Sequence, residues 1–176
     1  RIRRLGLLHL EINISLERKA EMLVAVLMAV SLVVVTFPIH YVALRWMSSG
    51  MANIPMRSNL RIFVIVLMAL ATHLVVIGVY AVAFEHGEGL LALGSFNGRE
   101  LTGSLDYLYF SIVSYTSLGL GDIFPSEHLR FITGVEALNG LLLIAWSGSF
   151  TYMAMSQLWA WQTCVEPASL RTSAKS

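Results

Sequence analysis

Long apolar runs alternate with short polar segments along this chain. Residues 22–44 read MLVAVLMAVSLVVVTFPIHYVAL and residues 62–84 read IFVIVLMALATHLVVIGVYAVAF, and neither run contains Asp, Glu, Lys or Arg. Each has about the length that an α-helix needs to cross the hydrocarbon core of a bilayer. A third run, residues 131–161, is longer and contains the polar residues Glu136 and Asn139. The pattern predicts three transmembrane helices, because soluble proteins seldom bury two such uncharged runs in so short a chain.

The region between the second and third runs has a different pattern. A polar, glycine-rich stretch, EHGEGLLALGSFNGREL, is typical of a loop. Residues 104–116 then predict a helix that Ser104 can cap, with Asp106 in its first turn. This helix would be about 20 Å long, too short to span a bilayer. Glycine-bearing backbone follows it, and such backbone is tolerated at membrane depth only inside protein or a water-filled cavity. The region therefore predicts a re-entrant loop that lines a pathway.

Composition excludes several other classes of protein. The 176 residues are 56% hydrophobic and 13% charged, whereas soluble domains have about twice that share of charge. A net charge of +1 gives no indication of nucleic-acid binding. Phe124 stands where a dinucleotide-binding fingerprint needs its third glycine. No nucleophile–base pair or metal-ligand spacing indicates an enzyme.

The segment SYTSLGLGDIFP, residues 114–125, resembles a known motif. TSLGLGD is similar to the selectivity filter of the potassium channels, usually TVGYGD. As in that family, a short helix precedes the motif, Pro125 follows it, and a long glycine-containing helix comes next. The second pore loops of tandem-pore potassium channels are especially similar, since they often lack tyrosine between the two glycines. The resemblance covers about residues 59–160 and implies an outer helix, a pore loop and an inner helix.

The chemistry of a filter explains the glycines. Backbone carbonyls can replace the hydration shell of a cation. They point the same way only if the backbone alternates between ordinary and left-handed conformations, which Gly119 and Gly121 permit. By resemblance, the carbonyls of Ser117, Leu118, Gly119 and Leu120 would bind K⁺, with no other cofactor. The implied ion-binding segment comprises Thr116, Ser117, Leu118, Gly119, Leu120 and Gly121, with Asp122 at the outer mouth.

Two aromatic residues of the short helix would support this filter. Tyr109 and Phe110 stand where the family often has tryptophans. Leu120 replaces a tyrosine whose hydroxyl bonds to such a tryptophan. Contact between Leu120 and Phe110 would be apolar packing without a directional bond, which predicts a softer filter.

Three residues of the third run have alternative interpretations. Glu136 could brace the short helix, face a cavity or lie near the outer interface. It lies about 9 Å along the third helix from Arg130, which favours bracing. Asn139 could face the cavity or bond to a neighbouring helix. Gly140 lies where the family has a hinge glycine, but a small residue also permits close helix packing.

The sequence thus predicts an all-α membrane protein with three transmembrane helices, a pore helix and a filter loop. One pore loop per chain implies a homotetramer by closure of the ring. The loop would enter from outside, which puts the N-terminus outside despite its five basic residues. The predicted segments are an N-terminal amphipathic segment 1–19, an extra transmembrane helix 20–47, a pore domain 59–161 (outer helix 59–85, pore helix 104–116, filter 117–122, inner helix 126–161) and a cytoplasmic tail 162–176.

The resulting functional hypothesis is a cation channel that conducts potassium in the cell membrane, plasma or inner. Its partners would be other copies of itself, membrane lipids and K⁺, without nucleic acid. A poorly selective potassium/sodium channel and a non-conducting membrane scaffold are the alternatives.

Overall fold

Four α-helices make up most of the protein. The computed structural model describes residues 2–50 and 54–158, with side chains described from residue 15. The helices are α1 (Ile2–Gly50), α2 (Ser58–Gly89), α3 (Ser104–Tyr115) and α4 (Leu129–Leu158). Three of them contain segments long and apolar enough to cross a membrane, namely Ser15–Gly50, Ser58–Gly89 and Leu129–Leu158. The prediction of an all-α membrane protein with three spans is confirmed.

The helix ends differ from those predicted. The sequence separates residues 1–19 from a span at 20–47, whereas α1 is one continuous helix from Ile2. No glycine or proline interrupts residues 7–37, and extending a helix is easier than starting one. α2 continues four residues past the predicted end at 85, and α4 begins at Leu129 rather than 126. The predicted end of the inner helix at 161 and the tail 162–176 lie outside the described residues.

The N-terminal half of the first span lies at the same end of the protein as the turn before α4. Nε2 of His128 in this turn is 3.8 Å from Oε2 of Glu21 on α1. α1, α2 and α4 pack against one another, and α3 packs against α2 and α4. A cluster of aromatic rings fills the space between α2 and α3. The ring of Phe110 lies 5.1 Å from that of Phe84 and 4.8 Å from that of Phe96.

Two three-residue strands pair the loop before α3 with the segment that follows Asp122. β1 (Phe96–Gly98) pairs antiparallel with β2 (Ile123–Pro125), with Gly98 opposite Ile123. Gly98 has a φ of +97°, and a Cβ there would lie 2.2 Å from the carbonyl oxygen of Asp122. Only glycine fits this approach. The backbone N–H of Arg99 also donates to the Asp122 carbonyl at 3.0 Å.

The start of α3 is capped differently from the prediction. Gly103 is the N-cap residue. Oδ2 of Asp106 accepts hydrogen bonds from the backbone N–H of Thr102 at 2.7 Å and of Gly103 at 3.3 Å. These bonds, led by that of Thr102, lower the pKa of the Asp106 carboxyl. Ser104, the predicted cap, instead donates to Oε1 of Glu85 at 3.2 Å.

Candidate functional site

The candidate site begins where α3 ends. Thr116 is the C-cap residue, and its hydroxyl donates to the Ile112 carbonyl at 2.7 Å. The N–H of Ser117 donates to the Ser114 carbonyl and the N–H of Leu118 to the Val113 carbonyl, both at 2.9 Å. This pair of bonds forms a Schellman motif, in which the residue after the cap takes a left-handed conformation. Ser117 has the expected positive φ, +56°.

The backbone from Ser117 to Gly121, which we call the filter segment, alternates in conformation. Positive φ angles occur at Ser117 (+56°), Gly119 (+59°) and Gly121 (+77°), and not at Leu118 or Leu120. A Cβ at Gly119 or Gly121 would meet nothing within 4 Å in the chain. The two glycines are therefore needed for their conformation rather than for space.

The side chains of the filter segment point away from the rest of the chain. Leu118 is 61% exposed and Leu120 is 58% exposed. Phe110, by contrast, is buried among Phe84 and Phe96. The expected packing of Leu120 on Phe110 stays a prediction.

A hydrogen bond joins Asp122, the residue after the filter segment, to α3. The hydroxyl of Tyr109 donates to Oδ2 of Asp122 at 2.9 Å. This bond to the carboxylate raises the pKa of the Tyr109 hydroxyl. The sequence indicated Tyr109 as a supporting residue but not this partner. Asp122, two residues after Leu120, thus makes a directional contact of the kind that the Leu120 side chain cannot make.

We expect Tyr109→Phe to lower the preference of the protein for potassium over sodium. The change removes one hydroxyl, so Asp122 loses a fixed donor while the ring is retained. The measurement is the ratio of potassium to sodium flux in liposomes. Tyr152→Phe is the matched control, since Tyr152 is 70% exposed on α4, and an equal effect of the two changes would contradict the role of Tyr109.

Glu136 contacts α3 through Ser111. It is fully buried on α4, and its Oε1 accepts a hydrogen bond from the Ser111 hydroxyl at 2.5 Å. The same hydroxyl lies 3.0 Å from the carbonyl oxygen of Ile77 on α2. The sequence left three positions open for Glu136, and in the structure its carboxyl packs against the short helix, α3. Ser111 was not predicted as its partner.

Asn139 and Gly140 both lie inside the helix packing. Asn139 is 2% exposed, and its amide donates to the hydroxyls of Thr36 on α1, at 2.9 Å, and Tyr80 on α2, at 3.1 Å. Of the two positions left open for Asn139, its side chain bonds to neighbouring helices. A Cβ on Gly140 would lie 2.2 Å from the carbonyl oxygen of Tyr115. Close packing at Gly140 is thus observed, and its role as a hinge stays a prediction.

Acidic residues at the end of α2 and the start of α3 act as hydrogen-bond acceptors. The carboxylate of Glu88 accepts from the hydroxyl of Tyr107 at 2.6 Å and from the N–H of Phe96 at 3.0 Å. Burial and this bond raise the pKa of Tyr107 to about 12. These contacts hold the loop before α3 onto the helix. Among the described residues, no group of three or more His, Cys, Asp or Glu side chains could hold a metal ion.

Comparison with known proteins agrees with this geometry. Residues 87–157 match a protein-family model described as an ion channel. No curated protein and no solved structure matches the chain. The matched residues include α3, the filter segment and nearly all of α4, and they favour a channel over an enzyme. With the three spanning helices, the match supports a membrane protein that has an ion-channel region at residues 87–157.

Proposed function

We propose that this protein is a potassium-conducting channel in which four copies surround one pore. The filter segment carries the proposal, because left-handed residues alternate with ordinary ones at Ser117, Gly119 and Gly121. Such a backbone can turn successive carbonyls toward one side, where they replace the water around a cation. The permeant ion would contact the carbonyls of Ser117, Leu118, Gly119 and Leu120.

The proposal of four copies rests on the single filter segment in each chain. One segment supplies carbonyls from one side only, whereas a cation in a filter is surrounded. Rotational symmetry closes such a ring with identical subunits. The exposure of Leu118 and Leu120, at 61% and 58%, agrees with a segment that faces other copies. The channel would reside in the cell membrane, plasma or inner.

The acids near Asp122 support cation rather than anion conduction. Between Glu85 and Arg130 the chain has the basic residues Arg99 and Arg130, and six acids. The six acids are Glu85, Glu88, Glu100, Asp106, Asp122 and Glu127. A mouth with this excess of negative charge would raise the local concentration of cations.

A channel that discriminates weakly between potassium and sodium is the second candidate. It is favoured by Leu120, which has no hydroxyl and is exposed, and by Phe110, which has no donor. The bond from Tyr109 to Asp122 argues against weak discrimination, because it supplies one directional contact next to the filter segment.

The test is ion flux through purified protein in liposomes, with a potassium or a sodium gradient in separate samples. We expect potassium flux well above sodium flux. Equal fluxes would favour the second candidate, and no flux with either ion would indicate a non-conducting scaffold. The number of copies is measured on the same preparation by native mass spectrometry, where any number other than four would contradict the tetramer.

A further inference from the structure

A buried row of polar side chains connects α1 to the base of the filter segment. The hydroxyl of Tyr115, the last residue of α3, lies 2.8 Å from Nδ1 of His73 on α2. Nε2 of His73 lies 3.1 Å from Oγ of Ser147 on α4. The same Oγ lies 3.0 Å from Nε2 of His40 on α1. These four residues, which we call the polar chain, join all four helices.

Three members of the polar chain are buried and His73 is partly buried, so these hydrogen bonds have few substitutes. His40 is 0% exposed, Tyr115 1% and Ser147 6%. A buried polar group that loses its partner costs about 1–3 kcal/mol. The imidazole rings of His40 and His73 are 5.1 Å apart and tilted by 41°, so they also pack directly. The hydroxyl of Tyr115 therefore contacts His73 of α2 directly and is linked through it to Ser147 of α4 and His40 of α1.

The hydrogen bonds of the polar chain depend on one another. A neutral imidazole has one N–H and one bare nitrogen. If Tyr115 donates to Nδ1 of His73, then Nε2 of His73 donates to Ser147, whose hydroxyl donates to His40. If Nε2 of His40 donates to Ser147 instead, Ser147 donates to Nε2 of His73, and Nδ1 of His73 donates to Tyr115. A change at one end thus alters the donors at the other, as expected for a cooperative network.

Tyr115 is well situated to transmit such a change to the filter segment. It is separated from Ser117 by Thr116 alone, and its carbonyl packs on Gly140 of α4. The Schellman bonds of Ser117 and Leu118 are made to the last turn of α3, which contains Tyr115. Movement of this ring would move the turn from which the filter segment begins.

We propose that α1 positions the filter segment through the polar chain, with His73 as the central positioning residue and His40 as the contribution of α1. This inference rests on the proposed function and extends it, because the resemblance to potassium channels begins at about residue 59 and assigns α1 no role. It makes α1 a part of the conduction machinery instead of a separate anchor.

The experiment measures the reversal potential of the full chain in bilayers with mixed potassium and sodium, together with its melting temperature. Tyr115→Phe removes one hydroxyl without changing the ring. His40→Leu removes the bond from α1, and His40→Gln restores a polar group near the position of Nε2. Ser149→Ala is the control, because Ser149 is exposed on α4 and donates to the Ala145 carbonyl of its own helix.

We expect Tyr115→Phe and His40→Leu each to lower the potassium preference by about threefold or more. The double variant should be little worse than the worse single variant, because the residues act as one unit. His40→Gln should recover most of the preference, and Ser149→Ala should match the unmodified protein. A merely structural role would lower the melting temperature and leave the reversal potential unchanged.

An unchanged reversal potential in Tyr115→Phe would overturn the inference, whether or not His40→Leu folds. So would purely additive effects of the two changes. If the unmodified protein conducts potassium selectively and these variants do too, the inference alone fails. If the unmodified protein carries no cation current, the proposed function fails and this inference fails with it.

Discussion

Replacing Gly140 with alanine should destabilise the protein and disturb the end of α3. The added Cβ would lie 2.2 Å from the carbonyl oxygen of Tyr115 and 3.0 Å from its ring. Backbone atoms cannot move away as easily as the tip of a side chain, and overpacking of this kind costs about 1–3 kcal/mol. Because Tyr115 lies next to the filter segment, potassium flux should fall as well. The measurements are the thermal unfolding midpoint and potassium flux in liposomes.

Gly134→Ala is the matched control for this change. Gly134 is also on α4, and a Cβ there would meet nothing within 4 Å in the chain. Alanine is the better helix former by about 0.5–1 kcal/mol, so this variant should be as stable as the unmodified protein or slightly more stable. A Gly140→Ala variant with unchanged stability but altered opening would contradict the packing role and favour the hinge.

Replacing Gly119 with alanine should abolish conduction while the chain still folds and assembles. Gly119 has a φ of +59°, and a left-handed conformation costs an alanine roughly 1–2 kcal/mol. The added Cβ meets nothing in the chain, so the damage should be confined to the direction of the filter carbonyls. Gly78→Ala on α2 is the control, and it should conduct normally. Normal potassium flux in Gly119→Ala would contradict the assignment of the filter segment.

Ser117 shows why a side chain can be tolerated at one left-handed position and not at the other. Its φ of +56° is close to that of Gly119. Two Schellman bonds at 2.9 Å fix the chain around Ser117, and each contributes about 1 kcal/mol. No backbone hydrogen bond of this kind is found at Gly119 in the described structure. The strain is therefore offset at Ser117 and would remain uncompensated at Gly119.

The sequence predicted those features that depend on neighbouring residues. The apolar runs at 22–44 and 62–84 lie inside α1 and α2, and the short helix at 104–116 corresponds to α3. The positive φ angles of Gly119 and Gly121 were expected from the resemblance to a selectivity filter, in which the backbone alternates between ordinary and left-handed conformations. The continuity of α1 was not predicted, since residues 1–19 were assigned to an amphipathic segment separate from the span at 20–47.

Contacts between residues far apart in the chain could not be predicted in this way. Ser147 and His40 are 107 positions apart, and nothing in the local sequence of either indicates the other. The bond from Tyr109 to Asp122 depends on the path of the filter segment, which must bring Asp122 next to α3. The pairing of β1 with β2 depends on Gly98, whose close approach to the Asp122 carbonyl becomes evident only in three dimensions.

The reversal potential of the purified protein, with potassium on one side of a bilayer and sodium on the other, tests the central claim most directly. The claim is that the alternating backbone from Ser117 to Gly121 forms a potassium-selective filter. The account predicts a reversal potential displaced strongly toward the potassium equilibrium potential, and no current in Gly119→Ala. A reversal potential near zero, or the same current in Gly119→Ala as in the unmodified protein, would contradict it.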